Sequence, residues 1–298
     1  MTHPFHMQMM LIQANALFRR GEYNAANPYF ERVIDSARLM QDHEMEMRAL
    51  SGLAASWGNL GNFPKQAELS TRMLNRARAL HQDYYIGDAT LHLSYALGSL
   101  DPRNYWPTIR KALDEGMAVA RTLPDTRLLI FHLIELSKVA VDVRHKPGEV
   151  RGWLTEAISL LPPISLMRTF VLYRVYRTTA RLWQDQDAPE AAWKWGQAAL
   201  EQAKAHGGLH VLHDTNVLVA ELDQEQGRPE AALHRAEEIV AASVTHKWRH
   251  TRFQGLAVQA DALLDLKRPA EEACKLAEQR SYPDHAERAA GLLDPGPS

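Results

Sequence analysis

The stretch GRPEAALHRAEE (227–238) carries the pattern that decides the fold. A similar stretch, DAPEAAWKWGQA (187–198), begins forty residues earlier, and KRPAEEACKLAE (267–278) begins forty residues later. Each has its proline two residues after the start, and proline suits the first turn of a helix because that N–H has no helical partner anyway. Glu190 and Glu230 follow directly and complement the positive end of a helix. The prolines therefore predict a helix that starts once in every forty residues.

Outward from these stretches, a small residue recurs at the same interval just before a short break. The small residues are Ala14, Ala54, Ser94, Ala180, Ala220 and Ala260, and the double gap between the third and fourth leaves room for one longer copy of about 43 residues. Three residues after each comes a large apolar residue or its stand-in: Leu17, Trp57, Leu97, Trp183, Asp223 and Leu263. Seven after each comes the break: Gly21, Gly61, Asp101, Asp187, Gly227 and Lys267. Glycine and aspartate can take the left-handed conformation that ends a helix.

Twelve residues after each small residue stands a position that should face the paired helix. Its occupants are Ala26, Gln66, Trp106, Ala192, Ala232 and Glu272. Alanine allows two antiparallel helices to approach closely, whereas Gln66, Trp106 and Glu272 fit this role poorly. In the second and seventh copies, Ala67 and Ala273 lie one residue further on.

Strand patterns are nearly absent, and apolar residues recur at helical spacing almost throughout. A single helix pair cannot cover its own apolar face, so neighbouring pairs must stack. We predict an all-α fold, a right-handed α-solenoid of about seven antiparallel helix pairs with a C-terminal capping helix at 283–293. The prediction is one domain over 1–298, with the phase of the fourth repeat left open. The repeats cover roughly 7–43, 44–83, 84–124, 125–163, 164–206, 207–246 and 247–281.

The pattern A-x-x-L-x-x-x-G-x-Y-x-x-A-x-x-x-F is met by Ala14, Leu17, Gly21, Tyr23, Ala26 and Phe30. It resembles the tetratricopeptide repeat (TPR), and the resemblance extends over roughly 7–280. The period of forty is similar to the long-repeat subclass found in bacterial regulators and adaptors. Armadillo or HEAT repeats are the alternative fold, but the turn Gly/Asp-x-Pro-Glu-Ala-Ala favours the TPR. The resemblance implies a non-catalytic scaffold or adaptor that binds a protein or peptide segment in its concave groove, or the sensor part of a bacterial regulatory system.

The charge balance and the cysteine content limit the classes of partner and the cellular location that we expect. A formal net charge of −2 gives no general attraction to nucleic acid or anionic membranes. The single cysteine, Cys274, excludes an intrachain disulfide and indicates a cytoplasmic location. We expect no export signal, no membrane span and no cofactor. The sequence leaves open whether the protein forms a homo-oligomer.

Catalytic motifs are not found. No phosphate-binding loop, dinucleotide fingerprint or nucleophile elbow occurs, which favours a protein that is not an enzyme. His206, His210 and His213 have the spacing of a metal site on one helix face, but Gly207–Gly208 interrupts them. Polar residues at a helix entry are the simpler interpretation. An enzyme or metal-binding protein on a helical scaffold remains the alternative function.

The repeat phase also predicts which residues face the groove, because the first helix of each pair lines it. These predicted ligand-binding residues are Asn15, Arg48, Asn59, Tyr95, Lys138, Arg174, Arg177, Arg181, Gln184 and Glu221. The three arginines share one helix face and could grip a carboxylate or phosphate. We therefore expect a partner with an acidic or carboxylate-bearing segment. The open alternative is that the arginines pair with acids of the protein itself, such as Asp142, Asp185 or Glu221.

Overall fold

The computed structural model describes residues 4–162, 166–246 and 249–266, and the regular structure in these ranges is entirely helical. The helices are α1 (Pro4–Arg19), α2 (Tyr23–Met40), α3 (His43–Asn59), α4 (Phe63–Ala79), α5 (Asp83–Leu100), α6 (Pro102–Ala120), α7 (Arg127–Asp142), α8 (Pro147–Ser159), α9 (Leu166–Asp185), α10 (Pro189–His206), α11 (Leu209–Glu225), α12 (Pro229–His246) and α13 (Arg249–Asp265). Odd-numbered helices are the first helices of the predicted pairs, and even-numbered helices are the second. The predicted capping helix at 283–293, the last second helix and Cys274 lie outside the described residues.

Helix ends follow a step of twenty residues in the first four helices. Gly21, Gln41, Gly61 and His81 all have positive φ, between 51° and 78°. The residue after each of them donates its N–H to a carbonyl five positions back, as from Asn62 to Trp57 at 2.9 Å. This is the Schellman ending, which satisfies carbonyls that the helix leaves unpaired. Because the chain reverses at each such point, the period of forty corresponds to two helices and two reversals.

The fourth repeat, whose phase the sequence left open, follows the same rule. Arg144 has φ 54° between α7 and α8, and the N–H of His145 bonds to the carbonyl of Ala140 at 2.8 Å. Arg144 therefore occupies the break position, and Ser137 is the small residue seven positions before it. Ser137 lies 43 residues after Ser94 and 43 before Ala180, so two slightly longer repeats account for the double gap.

The chain divides into two compact units, Met1–Thr178 and Thr179–Ser298, with the division inside α9. In the first unit, consecutive helices from α1 to α8 pack against one another, and α1, α3, α5 and α7 also contact their first-helix neighbours. In the second unit, α10 to α13 pack consecutively and α11 contacts α13. The predicted all-α repeat fold is confirmed.

Two apparent misfits of the repeat pattern are explained by packing. Gln66, at a position that should face the paired helix, is 2% exposed, and Gly58 leaves room for it: a Cβ there would lie 2.6 Å from the Gln66 Oε1. Asp223 stands where other repeats carry a large apolar residue, yet it is buried. It accepts hydrogen bonds from Arg235 at 2.9 Å and from the Trp193 indole at 3.1 Å. A buried carboxylate paired in this way can replace an apolar side chain.

Candidate functional site

Contacts between successive first helices join residues about one repeat apart. Ser51 Oγ of α3 lies 3.3 Å from His92 Nε2 of α5, a separation of 41 residues. Lys138 Nζ of α7 lies 4.5 Å from the ring centroid of Tyr95 on α5. Tyr95 and Lys138 occupy equivalent positions of neighbouring repeats, and Ser51 and His92 differ by one position, so corresponding parts of successive repeats are adjacent, which is what stacked pairs require.

A group of charged and aromatic residues along these contacts lies in the first unit and is called the central cluster: Tyr95, Phe131, Glu135, Lys138 and Arg174. The Glu135 side chain is only 1% exposed and accepts hydrogen bonds from Lys138 at 3.0 Å and Arg174 at 3.1 Å. The Lys138 and Arg174 side chains keep 27% and 20% of their surface exposed. The cluster thus sets two solvent-accessible cations against one buried carboxylate.

Each of the two cations also lies over the face of an aromatic ring. The Lys138 ammonium stands over the ring of Tyr95, and the Arg174 guanidinium lies 5.9 Å from the ring centroid of Phe131. Both distances are within the range of cation–π attraction. Phe131 in turn meets Phe170 edge-to-face at 6.0 Å. These contacts favour the observed orientations of both cations.

Opposing influences set the charge state of Lys138. Burial acts to lower its pKa, but the negative charge of Glu135 raises it, with smaller contributions from Tyr95 and Asp142, and the net pKa lies above the usual value. Lys138 therefore carries its charge at neutral pH.

His132 lies one turn before Glu135 on α7 and is fully buried. Its Nδ1 is 2.7 Å from the carbonyl of Leu128, and its Nε2 is 3.1 Å from the Thr90 hydroxyl. Burial lowers the pKa of His132, so the ring is neutral. A neutral ring donates Nδ1–H to the Leu128 carbonyl and leaves Nε2 as an acceptor. Nε2 and the Gly87 carbonyl, which accepts from the Thr90 hydroxyl at 2.8 Å, then compete for the single hydrogen of that hydroxyl.

In the second unit, the predicted groove residues pair with one another. Arg181 forms a salt bridge with Glu221 and donates to Gln184 Oε1 at 3.0 Å. Gln184 donates to Glu225. For Arg174 and Arg181, the structure thus shows pairing with acids of the protein itself. Glu221 is one of the acids that the sequence predicts for this pairing, whereas Glu135 is not.

The remaining predicted residues lie on α1, α3 and α9. Asn15 on α1 and Asn59 on α3 are half-buried, and Arg48 on α3 is exposed. Arg177 is half-buried on α9. The structure brings together Tyr95, Lys138 and Arg174 in one unit, and Arg181, Gln184 and Glu221 in the other.

Glu135 is the residue that sequence reasoning missed. A signal was present, because Glu135 lies inside the apolar run LLIFHLIEL (128–136). A carboxylate within such a run will be buried and must have partners. Lys138, three residues later on the same helix face, supplies one of them.

No metal site or membrane span emerges from the part of the chain that the structure describes. None of its groups of histidine, cysteine, aspartate or glutamate has three members placed to hold a metal ion. His206 ends α10 and His210 lies in the first turn of α11, with Gly207–Gly208 between these two helices. No helix in the described ranges is both long and apolar enough to cross a bilayer.

Comparison with known proteins places the fold. No protein-family model matches the chain, and no curated protein matches its sequence. The structure is similar to the apo form of the quorum sensor NprR from B. thuringiensis, with a TM-score of 0.59 at 12% identity over 96% of this chain and 78% of NprR. The chain has a TPR-like helical-repeat fold. BtubC (BKLC) from P. vanneervenii also matches, with a TM-score of 0.49 at 13% identity over 79% of this chain and 94% of that one. At 12% identity, the likeness to NprR concerns the fold alone.

Proposed function

We propose that this protein is a non-catalytic binding module that takes up a protein or peptide segment along its first helices, with an anionic group of the ligand at the central cluster. The observation that carries the proposal is the pair of partly exposed cations there: Lys138 and Arg174 share the buried carboxylate of Glu135, and the only other negative charge that acts on Lys138 from α7 is the exposed Asp142. A ligand carboxylate would accept further hydrogen bonds from both cations. Hydrogen bonds between ionised partners are about twice as strong as neutral ones.

Preorganisation supports the same conclusion. Glu135 and the flanking rings fix Lys138 and Arg174 before a ligand arrives. Binding therefore costs little side-chain entropy on the receptor side. The rings of Tyr95 and Phe131 also offer apolar surface beside the charges, which suits a peptide better than an inorganic anion.

A regulatory role is proposed by analogy of fold. NprR is described as a quorum sensor, and a preformed binding face on a helical repeat is compatible with sensing a small peptide. We propose that this chain is an adaptor or the sensor part of a bacterial regulatory system, acting in the cytoplasm.

The test is a peptide array probed with purified protein. The array would contain random peptides, each in three versions: with a free C-terminal carboxylate, with a C-terminal amide, and with an internal Asp or Glu. We expect preferential binding of carboxylate-bearing versions. Binding should weaken about 10- to 100-fold in Lys138→Met, because a charge-assisted hydrogen bond contributes about 1.5–3 kcal/mol.

The matched control is Lys111→Met, which removes an exposed lysine from α6, a second helix. This variant should bind like the wild type. Equal binding by wild type and Lys138→Met, or an equal loss in Lys111→Met, would refute the assignment of the central cluster.

A further inference from the structure

Phe131 occupies a groove position of the repeat. It lies 43 residues before Arg174, which is the step that also separates Ser94, Ser137 and Ala180. Phe131 on α7 is therefore equivalent to Arg174 on α9, which the repeat phase assigns to the groove. Its side chain is half-buried, so part of the ring surface is accessible. The fourth repeat thus presents an aromatic ring where the fifth presents a cation.

A second ring lies beside the first, and both belong to one end of the central cluster. Phe170 on α9 meets Phe131 edge-to-face, with 6.0 Å between the ring centroids. Along one face of α7 the order is Phe131, Glu135 and Lys138, with spacings of four and three residues. The rings therefore lie at one end and Lys138 at the other, and Arg174 is bonded to the carboxylate between them.

A ligand that uses both ends must carry an anion and an apolar group close together, because the Arg174 guanidinium lies only 5.9 Å from the Phe131 ring centroid. In an extended peptide, neighbouring side chains point to opposite faces. An internal Asp or Glu and the apolar residue next to it would therefore not face the cluster together. The last residue of a peptide differs, since its α-carboxylate and its side chain diverge from the same Cα.

We infer that the ligand of the central cluster is a peptide with a free C-terminal carboxylate and an apolar last residue, aromatic in the best case. The carboxylate lies at Lys138 and Arg174, and the last side chain packs against Phe131. This inference rests on the proposed function and names the class of ligand for the same site. Aromatic pairs gain more than their buried area alone provides, so Phe should exceed Leu, and Leu should exceed Ala. A last residue of Lys should bind worst, because its ammonium would meet two like charges.

Pools of short peptides test the inference with the full chain. Hexapeptides labelled with fluorescein at the N-terminus have a fixed last residue, which is Phe, Leu, Ala or Lys, and random residues elsewhere. Each pool is made with a free carboxylate and with a C-terminal amide, and one further amidated pool has Glu fixed at an internal position. Fluorescence anisotropy should show the Phe pool binding roughly tenfold more tightly than the Ala pool. Amidation should weaken the Phe pool by about tenfold or more.

Two substitutions separate the ring from the cations. Phe131→Ala should bring the affinity ratio of the Phe and Ala pools close to one, and should keep the preference for a carboxylate over an amide, because Glu135 still holds Arg174. Phe131→Leu preserves apolar bulk in case the alanine variant does not fold, and should lower the ratio only in part. Lys138→Met should do the reverse, losing carboxylate preference and keeping the preference for Phe. Tyr105→Ala is the control, because Tyr105 is 41% exposed on α6, and it should bind like the wild type.

The outcomes distinguish the inference from the proposed function. A carboxylate preference that does not depend on the last residue would overturn the inference alone, and so would a preference for Phe that Phe131→Ala and Phe131→Leu both leave intact. Equal binding of the Phe carboxylate pool and the amidated pool with internal Glu would likewise overturn the C-terminal assignment. Equal binding of every carboxylate pool and its amide would overturn the proposed function as well.

Discussion

Replacing Glu135 with glutamine should separate folding stability from ligand affinity. Glu135→Gln keeps the side-chain shape but removes the charge that Lys138 and Arg174 share. Breaking a buried ion pair costs about 3–5 kcal/mol. Because both cations keep some contact with water, the expected loss is lower, about 2–3 kcal/mol of unfolding free energy. The pKa of Lys138 should also fall, because Glu135 is the main charge that raises it.

Affinity for a carboxylate-bearing peptide should move in the opposite direction. Without Glu135, both cations lack their buried partner, so a ligand carboxylate has more to gain. This gain should exceed the preorganisation that is lost with Glu135, because the rings of Tyr95 and Phe131 remain beside the two cations. The assay combines urea unfolding with hydrogen exchange of the α7 amides, which reports the local opening free energy. Peptide affinity is measured on the same samples by fluorescence anisotropy.

The matched control is Glu115→Gln. Glu115 pairs with Arg78 at 2.6 Å, but the two side chains are 30% and 46% exposed. A surface pair of this kind contributes about 0–1 kcal/mol. If both variants lose the same stability, or if Glu135→Gln also loses peptide affinity, the account of the central cluster is wrong.

Three further predictions concern the stability of the fold, and each is checked by thermal or urea unfolding. Gly116→Ala should lower the free energy of unfolding by about 1–3 kcal/mol, because its Cβ would lie 2.1 Å from His132 Nε2 and 2.3 Å from Thr90 Oγ1. In contrast, Gly152→Ala should raise it by about 0.5–1 kcal/mol, because a Cβ there meets nothing within 4 Å and alanine favours the helix. The pKa of His132 is lowered in the folded state, so the unfolded state binds more protons below about pH 6.5. The free energy of unfolding should therefore fall with decreasing pH in that range, by up to about 1.4 kcal/mol per pH unit. His132→Gln should flatten this slope, and an unchanged slope would contradict the description of His132 as a buried neutral ring. Gln41→Gly should raise the free energy of unfolding by about 0.5–1 kcal/mol. Gln41 has φ 56°, and this left-handed conformation costs a non-glycine residue about 1–2 kcal/mol, but glycine also increases the conformational entropy of the unfolded chain and so offsets part of the gain. A loss of stability would show that the Gln41 side chain contributes more than its backbone strain costs.

Much of the fold was predictable because the same sequence pattern occurs in several repeats. Prolines, small residues and breaks return at a step of forty, and each copy checks the others. The fourth repeat was the exception, since its break is Arg144, which gives no glycine or aspartate signal. Likewise, Gln66 looked like a misfit because Gly58, which accommodates it, lies on the neighbouring helix.

The site was predictable only in part. The repeat phase selects which side chains belong to one surface, so Tyr95, Lys138 and Arg174 could be chosen together. Pairing between helices depends on side-chain reach and burial, which a one-dimensional pattern does not contain. For that reason Glu135, which organises the cluster, was not among the chosen residues.

Photo-crosslinking tests the central claim most directly. A carboxylate-bearing peptide selected on the array would carry a photoreactive residue next to its acidic group, and the adducts would be mapped by mass spectrometry. We predict adducts on α5, α7 and α9 close to Tyr95, Lys138 and Arg174, and their loss when excess unlabelled peptide is added. Adducts confined to the second helices α4, α6 and α8 would contradict binding along the first helices.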